Sequence, residues 1–136
     1  MSELETWEKW CNKELVADDY ELKNLVQNRD GLTLVFLGRK TEVTITYKEQ
    51  IVSFRSCDES DRWKTVDTVL ADHGRFFFRN WLVYKVSESS YASWLADETF
   101  NSTTVDELLH LAFVTANDII DVLSLREPTI TISFIV

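Results

Sequence analysis

The chain has only three glycines, one proline, two cysteines and one methionine in 136 residues. So little Gly and Pro excludes long flexible linkers, and no low-complexity segment or internal repeat is present. Cys11 and Cys57 lie far apart, in neither CxxC nor Cys/His ligand spacing, which excludes a disulfide framework or zinc site and leaves two free thiols. No run approaches the roughly 18 apolar residues that span a bilayer. The opening MSELETWEKW places acids where a secretory leader would need bases and an apolar run, so a cytoplasmic location and no membrane partner are expected. Bases are also few, 14 Lys and Arg against 23 Asp and Glu, for a net charge of −9. That balance opposes contact with phosphate backbones and argues against nucleic acid as a partner.

What the chain does have is large rings and strand periodicity. Five Trp and eight Phe can supply a core, each burying roughly 150–250 Å², and the length suits one globular domain spanning 1–136. The clearest pattern lies between Leu32 and Phe54. Leu32, Leu34 and Phe36 alternate with Thr33, Val35 and Leu37, and Val43, Ile45 and Tyr47 alternate with Glu42, Thr44 and Thr46. With Gly38-Arg39-Lys40 and Lys48-Glu49-Gln50 as connections, this predicts a three-strand antiparallel meander. Asp30-Gly31 predicts a hairpin turn from a preceding strand at Tyr20–Gln27.

Leu4, Trp7, Cys11 and Leu15 at three- and four-residue steps predict a helix over Glu3–Val16. Trp63, Val66 and Leu70 predict a second over Asp61–Leu70, ended by Gly74. Tyr91, Trp94 and Leu95, after a cap at Ser87 to Ser90, predict a third over Ser90–Ala96. The aromatic density of Phe76-Phe77-Phe78 and of Trp81 to Val86 argues for strands. Residues 105–124 fit one long helix by spacing. The β-branched runs flanking Ala116-Asn117-Asp118 favour a hairpin instead. Thr129 to Val136 alternates as a closing strand. The expected fold is α+β: one antiparallel sheet of about six or seven strands with two or three helices packed mainly on one face.

Chemical motifs are sparse. There is no glycine-rich phosphate loop, GxSxG elbow, HExxH or dinucleotide fingerprint, and no cofactor is expected. Cys57 with His73 or His110, and an acid such as Asp121, are the candidate members of a thiol-based hydrolytic site. Asp58, Glu59 and Asp61 are the candidate oxygen ligands for a hard cation, and also suit the start of a helix. Charge is uneven, with +2 over residues 31–56 and −11 over the rest. That acid, with Trp63, Phe77, Trp81, Tyr84 and Trp94 as candidate anchors, points to a non-catalytic domain that binds a basic protein. In size, acidity and layout the chain resembles the small immunity and inhibitor proteins of bacteria, which implies neutralisation of a basic partner. The alternative is a small-molecule binding domain with an aromatic-lined groove.

Overall fold

The computed structural model describes residues 5–10, 15–48 and 51–135. Among these, nine strands form two antiparallel sheets, and two α-helices lie outside one of them. The strands are β1 (Thr6–Lys9), β2 (Glu21–Asn28), β3 (Gly31–Leu37), β4 (Thr41–Tyr47), β5 (Ile51–Asp58), β6 (Val83–Ser87), β7 (Leu109–Val114), β8 (Asp118–Ser124) and β9 (Thr129–Phe134). The helices are α1 (Trp63–His73) and α2 (Ser90–Glu98). One sheet runs β2-β3-β4-β9 and the other β1-β6-β7-β8-β5. The α+β class therefore holds, with two sheets and nine strands in place of one sheet of six or seven.

The alternation read from the sequence does the packing. Leu32, Leu34, Phe36, Val43, Ile45 and Tyr47 are fully or almost fully buried on one face of the four-stranded sheet. They meet Val83, Leu111, Phe113, Ile120 and Val122 of the five-stranded sheet, and the Phe36 and Phe113 rings stack at 5.8 Å. Fully burying each such side chain is worth roughly 1.5–3 kcal/mol, so this interface dominates stability. Gly31 closes the β2–β3 hairpin at φ +132°, where an added Cβ would lie 1.9 Å from the Tyr47 carbonyl oxygen. Only glycine fits that crossing.

Three expectations need correction. The predicted meander stops after two strands: β4 pairs with β9, while β5 crosses to the other sheet and pairs with β8. Periodicity marks a strand but not its neighbour, and β9 is the better partner because it sets Ile130 and Ile132 beside Ile45 and Val43. The predicted helix over Glu3–Val16 is not formed where it is described. Thr6–Lys9 is an edge strand, with Trp7 opposite Val86, buried between exposed neighbours. Its stripe relied on Leu4 and Cys11, which lie outside the described residues, and pairing with β6 overrides helical spacing in so short a segment. Phe76-Phe77-Phe78 forms turns after α1 and not a strand. Phe77 and Phe78 pack on Tyr84 at 5.2 and 5.1 Å, while Phe76 faces solvent beneath the guanidinium groups of Arg75 and Arg79. Residues 109–124 form the β7–β8 hairpin, and both helices cover the face of the five-stranded sheet that points away from its partner.

Candidate functional site

The outer face of the five-stranded sheet carries a buried polar network centred on Asp121 of β8. Alternation puts Ile120 and Val122 on the apolar side and Asp121 on the other, where it is 0% exposed. Such a carboxylate must be paired, and three cationic or polar groups reach it. Arg55 Nε donates to Oδ2 at 2.9 Å from β5, directly opposite in the ladder. Arg62 Nη1 donates to the same oxygen at 2.7 Å from the residue preceding α1. His110 Nε2 donates to Oδ1 at 2.7 Å from β7. Burial by itself would raise the Asp121 carboxyl, but the His110 hydrogen bond and the charges of His110, Arg62 and Arg55 outweigh it and hold it well below 3.8.

The network continues into α2. His110 Nδ1 lies 2.6 Å from Ser89 Oγ, and that oxygen accepts from the Ala92 amide at 3.0 Å, capping the helix. Glu88, at φ +53°, turns the chain sharply between β6 and this cap. Ser89, His110 and Asp121 thus form a chain of the residue types used by serine hydrolases. The geometry is that of a cap: Ser89 is 2% exposed and its oxygen already serves the helix. A nucleophile needs an open approach for the substrate carbonyl, which this oxygen lacks.

The structure separates the residues singled out for chemistry. Cys57 and His110 lie two strands apart and four residues along the sheet, roughly 16 Å at ordinary strand spacing. His73 stacks on Phe77 at 4.0 Å at the end of α1. Asp121, considered as an orienting acid, does engage His110, with Ser89 in the position imagined for Cys57. Asp58 accepts from Ser60 N and Oγ at 2.9 and 2.8 Å and caps the 3-10 turn Glu59–Asp61. Among the described residues no three His, Cys, Asp or Glu side chains come together as metal ligands.

The candidate anchors also divide. Tyr84 is completely buried, its hydroxyl donating to the Phe77 and Trp81 carbonyls, so it cannot serve as an anchor. Phe77 and Trp81 are half-buried, and the Trp81 indole donates to the Trp10 carbonyl. Trp63 and Trp94 are open, 72% and 53% exposed. Sequence reasoning missed Phe100, which is 94% exposed at φ +53° beyond α2. Its neighbours Asn101, Ser102, Thr103 and Thr104 were the available signal, since a lone ring in so polar a stretch has little to pack against.

Two clefts accompany these features. One of about 400 Å³ lies beside α1 and is lined by Asp18, Tyr20, Leu70, Arg79 and Trp81 among others. Its Asp18 carboxylate is committed to the β3–β4 turn, accepting from the amides of Arg39 and Lys40 and from Thr41 Oγ1, each at 3.0 Å. Desolvation opposes ionisation there, but those donors and the Asp19 amide bring the carboxyl down to about 2. The other, of about 450 Å³, is lined by Ser53, Phe54, Arg55, Ser90, Tyr91 and Trp94, and Arg55 ties it to the Asp121 network. No helix among the described residues is long and apolar enough to cross a membrane. Comparison with protein-family models, curated proteins and solved structures finds no match in any of the three.

Proposed function

We propose that this is a non-catalytic protein-binding domain whose α2 end engages a basic partner protein. The reading is carried by one coincidence. Between Val86 and Leu109 there are five acidic residues and no Lys or Arg, and the same stretch presents Trp94 and Phe100 to solvent. Acids around open rings divide the work as interfaces do: charge steers the partner's approach and rings hold it after water is expelled. Asp97, Glu98, Asp106 and Glu107 are all exposed. An inhibitor or immunity role would need no more than this surface. The Ser53–Trp94 groove favours the second reading, a small-molecule binding domain.

The test is capture from the source cell by the immobilised protein at low and at high salt, repeated with Trp94→Ser/Phe100→Ser and with Asp97→Asn/Glu98→Gln. A basic protein retained by the wild type, released by salt and lost from both variants supports the proposal. Capture that neither variant alters, or a captured protein that is not basic, overturns it.

A further inference from the structure

We propose that the groove between β5 and α2 is a receptor for a small aryl carboxylate, with Arg55 binding the carboxylate and Trp94 the ring. Arg55 is held from two sides. Its Nε is committed to Asp121, and its guanidinium carbon lies 4.2 Å from the centre of the Tyr91 ring. These two contacts fix the plane of the group, while the side chain stays 43% exposed on the groove. Among the described residues the Nη1 and Nη2 hydrogens meet no acceptor. That leaves the end-on edge of a guanidinium, the pair of parallel N–H groups that accommodates a carboxylate in two hydrogen bonds.

Charge at the Arg55 end of the groove favours an anion, while Asp97 and Glu98 follow Trp94 on α2 without lining the groove. Two guanidinium groups share the single carboxylate of Asp121, an excess of at least one positive charge whatever the state of His110. Glu5, beside Ser90 at the start of α2, is already used: its Oε1 accepts from Ser90 N and Oγ at 2.8 and 3.1 Å, and its Oε2 from the Trp7 indole at 3.3 Å. Glu5 thereby fills the N-terminus of α2 and leaves Arg55 as the donor facing the cleft.

The rest of the groove sets the ligand's body. Tyr91 and Trp94 stack at 5.9 Å and 22°, and Trp94 keeps half its surface open. Ser53 Oγ and the Tyr91 hydroxyl share a hydrogen bond that holds Tyr91 against β5. A flat apolar ring laid on Trp94 would stand beside the Arg55 edge, and a volume of about 450 Å³ lies within the usual range for small-ligand sites. The pattern, two stacked rings beside one oriented charged donor, selects flat monoanions over cations or sugars.

The experiment is calorimetric titration of the purified protein with 2-naphthoate and with its neutral isostere 2-naphthamide. Saturable 1:1 binding of naphthoate, at least tenfold tighter than the amide, is expected. Arg55→Lys keeps a cation beside Asp121, so the fold should persist, and it should lose about tenfold in affinity by losing the two-pronged edge. Trp94→Ala should lose fivefold or more, while Trp63→Ala, an open indole elsewhere, should change nothing. The proposal is overturned if acid and amide bind alike, if neither saturates up to about 10 mM, or if Trp63→Ala weakens binding as much as Trp94→Ala. Binding of a Gly-Gly-Phe peptide through its free C-terminus without binding of naphthoate would also overturn it and give the groove to a peptide end.

Discussion

The two faces of the five-stranded sheet are built from alternate residues of the same strands, yet they are held by different physics. The inner face puts Leu111, Phe113, Ile120 and Val122 against the other sheet with no charged side chain in the cluster. The outer face buries His110 and Asp121 beneath the helices, with Arg55 and Arg62 reaching in. Apolar burial is forgiving of exact partners, so the inner face confers stability on any arrangement that buries it. A buried ionic network tolerates one geometry, because each member lost leaves another uncompensated. The inner face therefore accounts for most of the folding energy, whereas the outer face fixes where α1, α2 and the Arg55 groove sit.

Substitutions on the two faces should differ in kind. Asp121→Asn leaves two guanidinium groups facing a neutral amide and should cost about 3–5 kcal/mol in urea unfolding at pH 7. Phe113→Ala should cost a similar 3–5 kcal/mol by opening a cavity. Replacing the cluster's carboxylate and both arginines together by apolar residues of similar volume should recover much of the Asp121→Asn loss, as refilling Phe113→Ala from its neighbours would not. If Asp121→Asn costs under about 1 kcal/mol, the contrast between the faces is wrong.

Acid should weaken the outer face and, separately, the β3–β4 turn that Asp18 holds. The folded Asp121 carboxyl sits below its ordinary 3.8, so its contribution is fully present above that value and is lost as pH falls toward the folded value. Asp18, lowered to about 2, adds a loss of the same sign between about pH 4 and 2. Melting temperatures of wild type and of Asp121→Asn should converge as pH falls through this range. Equal slopes for the two proteins would show that Asp121 titrates normally.

Two smaller effects sharpen the comparison. Ser89→Ala removes the α2 cap and the His110 partner, for about 1 kcal/mol, and should raise amide exchange in the first turn of α2 more than in β7. Across from the inner face, on β4 of the other sheet, the Tyr47 hydroxyl is buried with no hydrogen-bond partner among the described residues. Tyr47→Phe removes that unmet donor and should be neutral or stabilise by up to about 1 kcal/mol. A clear loss of stability would reveal a partner for the hydroxyl.

What could be read in advance followed the same division. The β3–β4 hairpin, the β2–β3 turn and the β7–β8 hairpin were legible because alternation and Asp-Gly or Asn-Asp turns are local signals. The α2 cap was legible from its serines, although Ser89 Oγ also meets His110, a contact made across 21 residues. The Arg55–Asp121 pair was hidden because the partners are 66 residues apart and adjacent only through the β5–β8 ladder.

Composition and periodicity by themselves determined that this chain builds antiparallel strands with a few helices, carries excess acid, and has ordinary turns at Asp30-Gly31 and Asn117-Asp118. Those properties reside in neighbours along the chain, where backbone sterics and side-chain alternation act directly. Only the tertiary structure decided that β5 leaves β4 for β8, that Thr6–Lys9 is a strand, and that Asp121 gathers Arg55, Arg62 and His110. Each of these is a choice among distant partners, and it is settled by which pairing buries the most apolar surface while leaving no buried charge alone.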